Sequence, residues 1–208
     1  MLSSVNTPLI TSELGGAQQE VRAFIEKIGA PAGCTLLGLS ALPSDHPLNV
    51  GMLGMHGSLG ANTMTQRCDL LIAIGMRFDD RVTGNLATYA RQARKIHFDI
   101  DPAEVNKNVA VDVAVLGNCK ETVAAVTEML DPAERPAWRE AFRPYDERED
   151  TLVIQPEIHP ASGPIRMGEV ARKVSEHTNH EAILVTDVGQ NQMLSARYFK
   201  FSRPLSIV

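Results

Sequence analysis

A continuously apolar run, Leu70-Leu71-Ile72-Ala73-Ile74, is the feature that most constrains how this chain can fold. It lies between Asp69 and Gly75, and no polar residue interrupts it. Strands of this kind are typical of parallel sheets, because helices cover both faces of such sheets. The sequence therefore predicts an α/β protein in which this segment is a buried strand of a parallel sheet.

Helix-like patterns lie on both sides of this run. Apolar residues recur at helical spacing between Val21 and Ile28, and Gly29 then predicts the end of that helix. Asn118, three residues before Glu121, predicts the N-cap of a second helix. The predicted apolar face of this second helix consists of Val123, Val126, Met129 and Leu130.

Strand-like segments alternate with these helices over the first 130 residues. We expect strands at residues 7–10, 34–37, 95–100 and 111–115, in addition to the apolar run at 69–75. Such an alternation predicts a doubly wound, mostly parallel, Rossmann-like sheet. Ligands of such sheets bind beyond the carboxyl ends of the strands, so the loops that follow the strands are the candidate binding segments.

The chain changes character after residue 130. Residues 131–164 are rich in proline and charge, which predicts a linker with one short helix near Trp138. Residues 165–208 then begin a second α/β unit, with a helix from Met167 to Val174, a strand at Ile183–Thr186 and the start of another strand at Leu205–Val208. One such unit cannot bury both faces of its sheet, so we expect an incomplete domain.

Composition excludes several classes of protein. A net charge of −5 gives the chain no electrostatic attraction to nucleic acid or to anionic membranes. No apolar run reaches the roughly 20 residues that span a bilayer, and the N-terminus has no signal-peptide pattern. Three widely spaced cysteines and six histidines form no recognisable disulfide, zinc or other metal pattern. A cytoplasmic location without a metal site in this chain is the resulting expectation.

Five segments could bind a ligand, and the first four of them also have a structural alternative. The glycine-rich segment Gly51–Gly57 suits close approach to a phosphate, or is simply a tight loop. Gly75–Gly84 carries two arginines that suit phosphate, or form a surface salt-bridge cluster. His97–Asp101 offers an acid for ribose hydroxyls, or Asp101 caps a helix. Gly117–Cys119 could meet an adenosine or only cap a helix, and amides in Asp187–Met193 could contact a pyrophosphate.

Together these segments resemble the catalytic (large) subunit of acetohydroxyacid synthase, also called acetolactate synthase. The likeness extends from about Gly29 to the end of the chain. It is most specific in Met-Leu-Gly-Met-His-Gly, which ends at Gly57, and in Arg-Phe-Asp-Asp-Arg-Val-Thr-Gly, which begins at Arg77.

The resemblance implies a reaction and its cofactors. Enzymes of this family use thiamine diphosphate and Mg²⁺ to decarboxylate pyruvate and to join the product to a second 2-keto acid. The acetolactate or acetohydroxybutyrate that forms feeds branched-chain amino-acid synthesis. FAD is bound across the central domain without net redox change. The expected partners are small-molecule 2-keto acids, other catalytic subunits and a regulatory small subunit.

The resemblance also assigns residues. Those expected to bind FAD are Thr35, Leu36, Leu37, Leu53, Gly54, Met55, His56, Gly57, Gly75, Arg77, Arg81, Val82, Asp99, Ile100, Asn118 and Cys119. Met55 and His56 would also border the substrate channel. The start of the thiamine diphosphate site would be Val188, Gly189, Gln190 and Asn191. No catalytic residue and no metal ligand is assigned to this chain.

The sequence departs from the family pattern in two places. A glycine triplet near the flavin is reduced here to Gly15 and Gly16. The family's N-terminal domain, with the glutamate that activates thiamine, and its Gly-Asp-Gly…Asn metal motif have no counterpart in this sequence. We therefore expect an incomplete enzyme that is inactive alone. The alternative is a stand-alone flavin- or nucleotide-binding module, or a subunit-interaction module.

Overall fold

The computed structural model describes the backbone of Leu9–Thr11 and residues 16–208. Within these ranges six strands form one parallel sheet in the order β3-β2-β1-β4-β5-β6. The strands are β1 (Leu9–Thr11), β2 (Ala32–Cys34), β3 (Asn49–Met52), β4 (Leu70–Ile74), β5 (Arg94–Asp99) and β6 (Val113–Leu116). This is the strand order of a doubly wound, Rossmann-like sheet. The predicted fold class is confirmed.

Strand β4 is buried along its whole length, as its composition predicts. Its residues alternate between two cores: Leu70, Ile72 and Ile74 belong to one, and Leu71 and Ala73 belong to the other. Because successive side chains of a strand point to opposite faces, the sheet has a packed core on each side.

Two strand predictions need correction. The strand expected at 34–37 ends at Cys34, and Leu36–Gly38 forms a 3₁₀ turn instead. Strand β3 was not predicted at all, and it includes Gly51 and Met52 from the segment expected to be a loop. β3 lies at the edge of the sheet and pairs only with β2 among the described strands, so it carries no strong apolar pattern.

Helices α1 (Gln18–Ile28) and α4 (Cys119–Glu128) pack on one face of the sheet. The predicted apolar stripe of α1 is buried, and Gly29 ends the helix with φ +60°. The Asn118 side chain caps α4 by accepting a hydrogen bond from the Lys120 amide, as predicted. Met129 departs from the predicted apolar face: it follows the end of α4 and is 83% exposed.

The other face of the sheet is covered by α2 (Leu59–Thr65) and by helices from the proline-rich stretch. The helices that do so are α5 (Pro136–Glu140) and α6 (Arg143–Glu149). A π-helical turn (Asp150–Ile154) and α7 (Gln155–Ile158) follow them and contribute no residue to this core. The predicted helix near Trp138 is present, but this stretch contains several helices and not the single helix that was expected. Pro136, Pro144 and Pro156 each lie in the first turn of a helix, where no amide donor is needed.

The C-terminal unit contains α8 (Met167–His177) and α9 (Gln190–Tyr198). Its two predicted strands meet in a parallel bridge between Leu184 and Ile207. A third core joins this unit to the first domain, with Ala196, Phe199 and Ile207 packed near Cys34 and Met52. In the described part of the chain, no helix is both long and apolar enough to cross a membrane.

Candidate functional site

The predicted flavin-contacting residues all follow, or end, strands at one edge of the sheet. Because the strands are parallel, their carboxyl ends share this edge, here called the carboxyl edge. Residues 35–37 follow β2, residues 53–57 follow β3, and residues 75–82 follow β4. Asp99 ends β5, Ile100 follows it, and Asn118 and Cys119 follow β6. The fold therefore brings these segments to the same side of the sheet.

The glycine loop, Leu53–Gly57, contacts the loop after β4. The Met55 amide donates a hydrogen bond to the Arg81 carbonyl at 2.8 Å, although β2 and β1 separate the two parent strands in the sheet. Gly54 has φ +97°, and a Cβ there would lie 2.3 Å from the same carbonyl oxygen. Asn62 of α2 holds Gly54 from the other side, since its side chain bonds both the amide and the carbonyl at 2.9 Å.

An open cleft of about 750 Å³ lies beside this contact. Met55 and Arg81 line it, together with Asn62 of α2, Arg67 just beyond the end of that helix, and residues 80–84. Arginine guanidinium groups form forked hydrogen bonds with phosphate oxygens. The cleft is therefore suited to an anionic group such as a diphosphate.

A second group of residues lies at the ends of β5 and β6. The Asp99 side chain is mostly buried: Oδ1 accepts a hydrogen bond from the Asp101 amide at 2.9 Å, and Oδ2 lies 3.3 Å from Nε2 of His97. The Gly117 amide bonds the Asp99 carbonyl at 3.0 Å. Burial, and then the charge of Asp99, raises the pKa of the Cys119 thiol. These residues form a compact polar group around one carboxylate, but they do not line the cleft beside Met55.

Arg77 lies in the loop between these two groups. Its Nε is 3.3 Å from Asp79 Oδ2, and Asp79 Oδ1 caps the short helix α3 (Asp80–Thr83) by accepting from the Arg81 amide. Arg77 therefore forms the salt bridge that was the structural alternative for the segment Gly75–Gly84. An exposed pair of this kind contributes at most about 1 kcal/mol, so it leaves the arginine available to a ligand.

Asp101 accepts a local backbone hydrogen bond, which is close to the capping role given above as the alternative to a ligand contact. Its Oδ1 accepts a hydrogen bond from the Ala103 amide at 2.8 Å, in a turn rather than at the start of a regular helix. Asp99, by contrast, points toward His97 at the sheet edge. Asp99 is therefore buried at the end of β5, whereas Asp101 is exposed in the turn that follows.

The predicted thiamine diphosphate residues lie at the start of α9. Gly189 has φ +139° and precedes the helix, Val188 is exposed, and Asn191 Oδ1 accepts from the Gln192 amide at 2.8 Å. The far end of the same helix reaches the glycine loop, where Arg197 bonds backbone carbonyls. Among residues 16–208, no group of three histidine, cysteine or acidic side chains is placed to hold a metal ion.

A protein-family model matches residues 2–126 of this chain, and the family is the thiamine pyrophosphate enzyme, central domain. The match includes all six strands and ends within α4. The chain belongs to this family. The matched part of the chain is the doubly wound sheet that carries the candidate flavin-contacting residues.

Curated relatives extend the likeness to the rest of the chain. The acetolactate synthase large subunit of Parasynechococcus marenigrum is 43% identical over 188 residues, which are 88% of this chain and 30% of that protein. The probable acetolactate synthase large subunit of Methanocaldococcus jannaschii is 37% identical over 204 residues, or 94% of this chain and 34% of that protein. The isozyme 2 large subunit of Escherichia coli is 37% identical over 217 residues, covering 100% of this chain and 37% of that protein.

The resemblance inferred from the sequence motifs is therefore confirmed. The chain spans about a third of the length of these relatives, from 30% to 37%.

Three residues around the candidate site were given no role from the sequence. Asn62 fixes Gly54, Arg67 lines the cleft, and the fully buried His97 approaches Asp99. Asn62 lies on the short helix α2 and Arg67 just beyond its end, in a segment with no motif, so only the position of this segment beside the loop reveals their role. His97 stands beside the predicted acid, and its burial inside a strand was the available signal.

Proposed function

We propose that this chain is the flavin-binding central part of an acetolactate synthase large subunit, together with the beginning of its thiamine-binding domain. The observation that carries the proposal is the contact between the glycine loop and the loop after β4, through Met55 and Arg81. This contact forms one wall of a cleft at the carboxyl edge, where nucleotides bind in doubly wound sheets.

The residues present fit a flavin nucleotide. Arg77 and Arg81 would hold the diphosphate through forked hydrogen bonds. Each carboxylate oxygen can accept more than one hydrogen bond, so Asp99 would take a ribose hydroxyl while keeping the hydrogen bond from the Asp101 amide and its contact with His97. The remaining contacts at the adenosine end would come from Ile100, Asn118 and Cys119. Gly75 and Val82 would join the two arginines at the diphosphate and the ribityl chain. The contacts beside the flavin ring would come from Thr35–Leu37 and Leu53–Gly57.

The whole enzyme would condense two pyruvates, or pyruvate and 2-ketobutyrate, in branched-chain amino-acid synthesis in the cytoplasm. Thiamine diphosphate, bound with Mg²⁺, would supply the carbanion chemistry. In this chain Val188–Asn191 would contact its diphosphate, and Met55 and His56 would border the path of the keto acids. Its residues bind and position, and the acid–base chemistry would come from parts of the family's chain outside the matched third. We expect the chain alone to make no acetolactate.

Association with other large subunits and with a regulatory small subunit belongs to the same proposal. The observation that favours a protein–protein contact is an apolar face on α8, where Met167, Val170 and Val174 are each more than 40% exposed. Exposed apolar residues at helical spacing mark surfaces that another protein segment covers. A subunit-interaction module is therefore the second candidate function for the C-terminal unit.

Titration of the purified chain with FAD, followed by flavin fluorescence, tests the proposal. We expect saturable binding by the wild type and at least a tenfold loss of affinity in Arg81→Ala, because a charged hydrogen bond to phosphate contributes about 1.5–3 kcal/mol. Arg91→Ala, at an exposed arginine outside the cleft, is the matched control and should bind as the wild type does. Absence of saturable binding, or equal losses in both variants, would overturn the proposal.

A further inference from the structure

Glu149, the last residue of α6, reaches the beginning of α2. Its Oε2 accepts a hydrogen bond from the Leu59 amide at 2.9 Å. Ser58, at the N-cap of α2, makes no side-chain bond to that helix. The first amides of a helix lack partners within it and carry a partial positive charge, so a carboxylate there is stabilising. Glu149 thus performs a capping role for a helix 90 residues away in the chain.

Arg197, near the end of α9, joins Glu149 to the glycine loop. Its Nη2 forms an ion pair with Glu149 Oε1. Its Nη1 donates to the carbonyls of His56 at 3.3 Å and Gly57 at 3.2 Å. The two side chains are only 20% and 11% exposed, so water screens this pair less than the surface ion pairs of the molecule.

These contacts hold the side of the glycine loop that lies opposite Arg81. Met55 is 63% exposed, so its side chain does not anchor the loop by packing. The Met55 amide is held by the Arg81 carbonyl, and the carbonyls of His56 and Gly57 are held by Arg197. The position of the loop therefore depends on α6 and α9 as well as on the sheet.

We propose that Glu149 and Arg197 form a clamp that positions the glycine loop and couples it to α9. They are positioning residues: Arg197 bonds the loop backbone, and Glu149 holds Arg197 and the Leu59 amide that follows the loop. The start of α9 carries Gly189 and Gln190, so a diphosphate that restrains this helix also restrains the loop through Arg197. Such coupling is reciprocal. The coupling to a diphosphate rests on the proposed function, whereas the clamp itself does not.

Hydrogen exchange of the full chain, followed by mass spectrometry, tests the clamp without any ligand. We expect Arg197→Ala to speed exchange of amides in residues 53–59 at least tenfold, while β4 amides stay protected. Arg197→Lys keeps the charge but not the fork, and should restore part of the protection. Glu149→Gln keeps an acceptor for Leu59 and should free the loop less than Arg197→Ala does. Glu147→Gln is the matched control, since Glu147 lies on the same helix in an exposed ion pair with Arg143.

The outcomes separate the clamp from general stability and from the proposed function. Unchanged exchange at 53–59 in Arg197→Ala overturns the clamp. Should that variant lose protection throughout the sheet, the same comparison is made on Arg197→Lys, and loop exchange equal to that of the wild type then overturns the clamp. A loop-specific effect in a chain that binds no FAD supports the clamp and refutes the flavin site.

Discussion

Gly54 is the residue at which the geometry of the candidate site leaves the least choice. Its φ of +97° lies in the region that favours glycine, and a Cβ would lie 2.9 Å from the Val82 Cα as well as 2.3 Å from the Arg81 carbonyl oxygen. Glycine at this position allows two backbones to touch. The spacing of glycines in the loop therefore reflects contacts within the protein, in addition to any approach to a ligand.

Gly54→Ala should lower the free energy of unfolding by about 2–4 kcal/mol, because it combines backbone strain with a clash against backbone atoms that cannot turn aside. Gly84→Ala is the matched control: φ there is +59°, but a Cβ would meet nothing within 4 Å. Its ψ of −128° also lies outside the left-handed helical region, so we expect that variant to lose the backbone-strain part alone, about 1–3 kcal/mol, and less than Gly54→Ala loses. Urea denaturation of both variants checks the difference, and equal losses would show that the close approach at Gly54 has no energetic role.

At the scale of elements, the helices between the sheet and the C-terminal unit are part of the packed structure. Trp138 of α5 and Phe142 lie in the same core as Leu71 and Ala73 of β4, with their rings edge-on at 5.6 Å. Large buried aromatic side chains contribute strongly to packing. Pro136 and Pro144, two of the prolines that suggested a linker, lie in the first turns of α5 and α6, and these two helices cover one face of the sheet.

Trp138→Ala should destabilise the protein by about 3–5 kcal/mol, the usual loss for a large aromatic residue removed from a core. The neighbouring Arg139 is exposed, so Arg139→Ala should change stability by no more than about 0.5 kcal/mol. Thermal or urea unfolding measures both. A loss below about 1 kcal/mol at Trp138 would mean that α5 does not stabilise the sheet and acts as a tether between units.

At the scale of the whole molecule, α2, α6 and α9 meet where the sheet domain joins the C-terminal unit. The Asp146 carboxyl group of α6 faces Gly60 of α2, where a Cβ would lie 2.3 Å from Asp146 Oδ1. Burial, and then the negative charge of Glu149, raises the pKa of Asp146 to about 6. A carboxyl group in this position favours the folded state when it is protonated.

Stability should therefore depend on pH through Asp146. Its folded pKa of about 6 lies above the ordinary value of 3.8, so the folded state binds the proton more tightly. The unfavourable contribution of Asp146 is fully present above pH 6 and disappears as the pH falls from about 6 toward 3.8. Asp146→Asn should accordingly be more stable than the wild type at pH 7, with a gain that shrinks by pH 4.

Urea unfolding at a series of pH values between 4 and 8 measures this gain. The exposed Asp45 provides a matched Asp→Asn control for the loss of one negative charge. A gain of Asp146→Asn that is equal at pH 4 and pH 7 would contradict the raised pKa.

The local sequence pattern was sufficient to predict an element wherever the burial of that element's own residues decided its structure. The apolar run of β4, the stripe of α1 and the Asn118 cap each depend on neighbours within one turn or one strand, so composition and spacing predict them. The parallel sheet followed from the alternation of such elements, and its carboxyl edge followed from the sheet. The motifs also carried the family, because short runs such as Arg-Phe-Asp-Asp-Arg-Val-Thr-Gly are rare in combination.

Only the tertiary structure decided which loops touch. The strand order brings Met55 to Arg81 across two intervening strands, and the docking of α9 brings Arg197 to the Gly57 carbonyl 140 residues earlier in the chain. Edge strand β3 has no strong apolar pattern, because an edge strand is less enclosed by neighbouring elements than the central strand β4. The sequence by itself thus determined the elements that have a clear local pattern, such as β4, α1 and the start of α4, and the parallel arrangement of the sheet. Contacts between distant loops depend on strand order and helix docking, which no local spacing records.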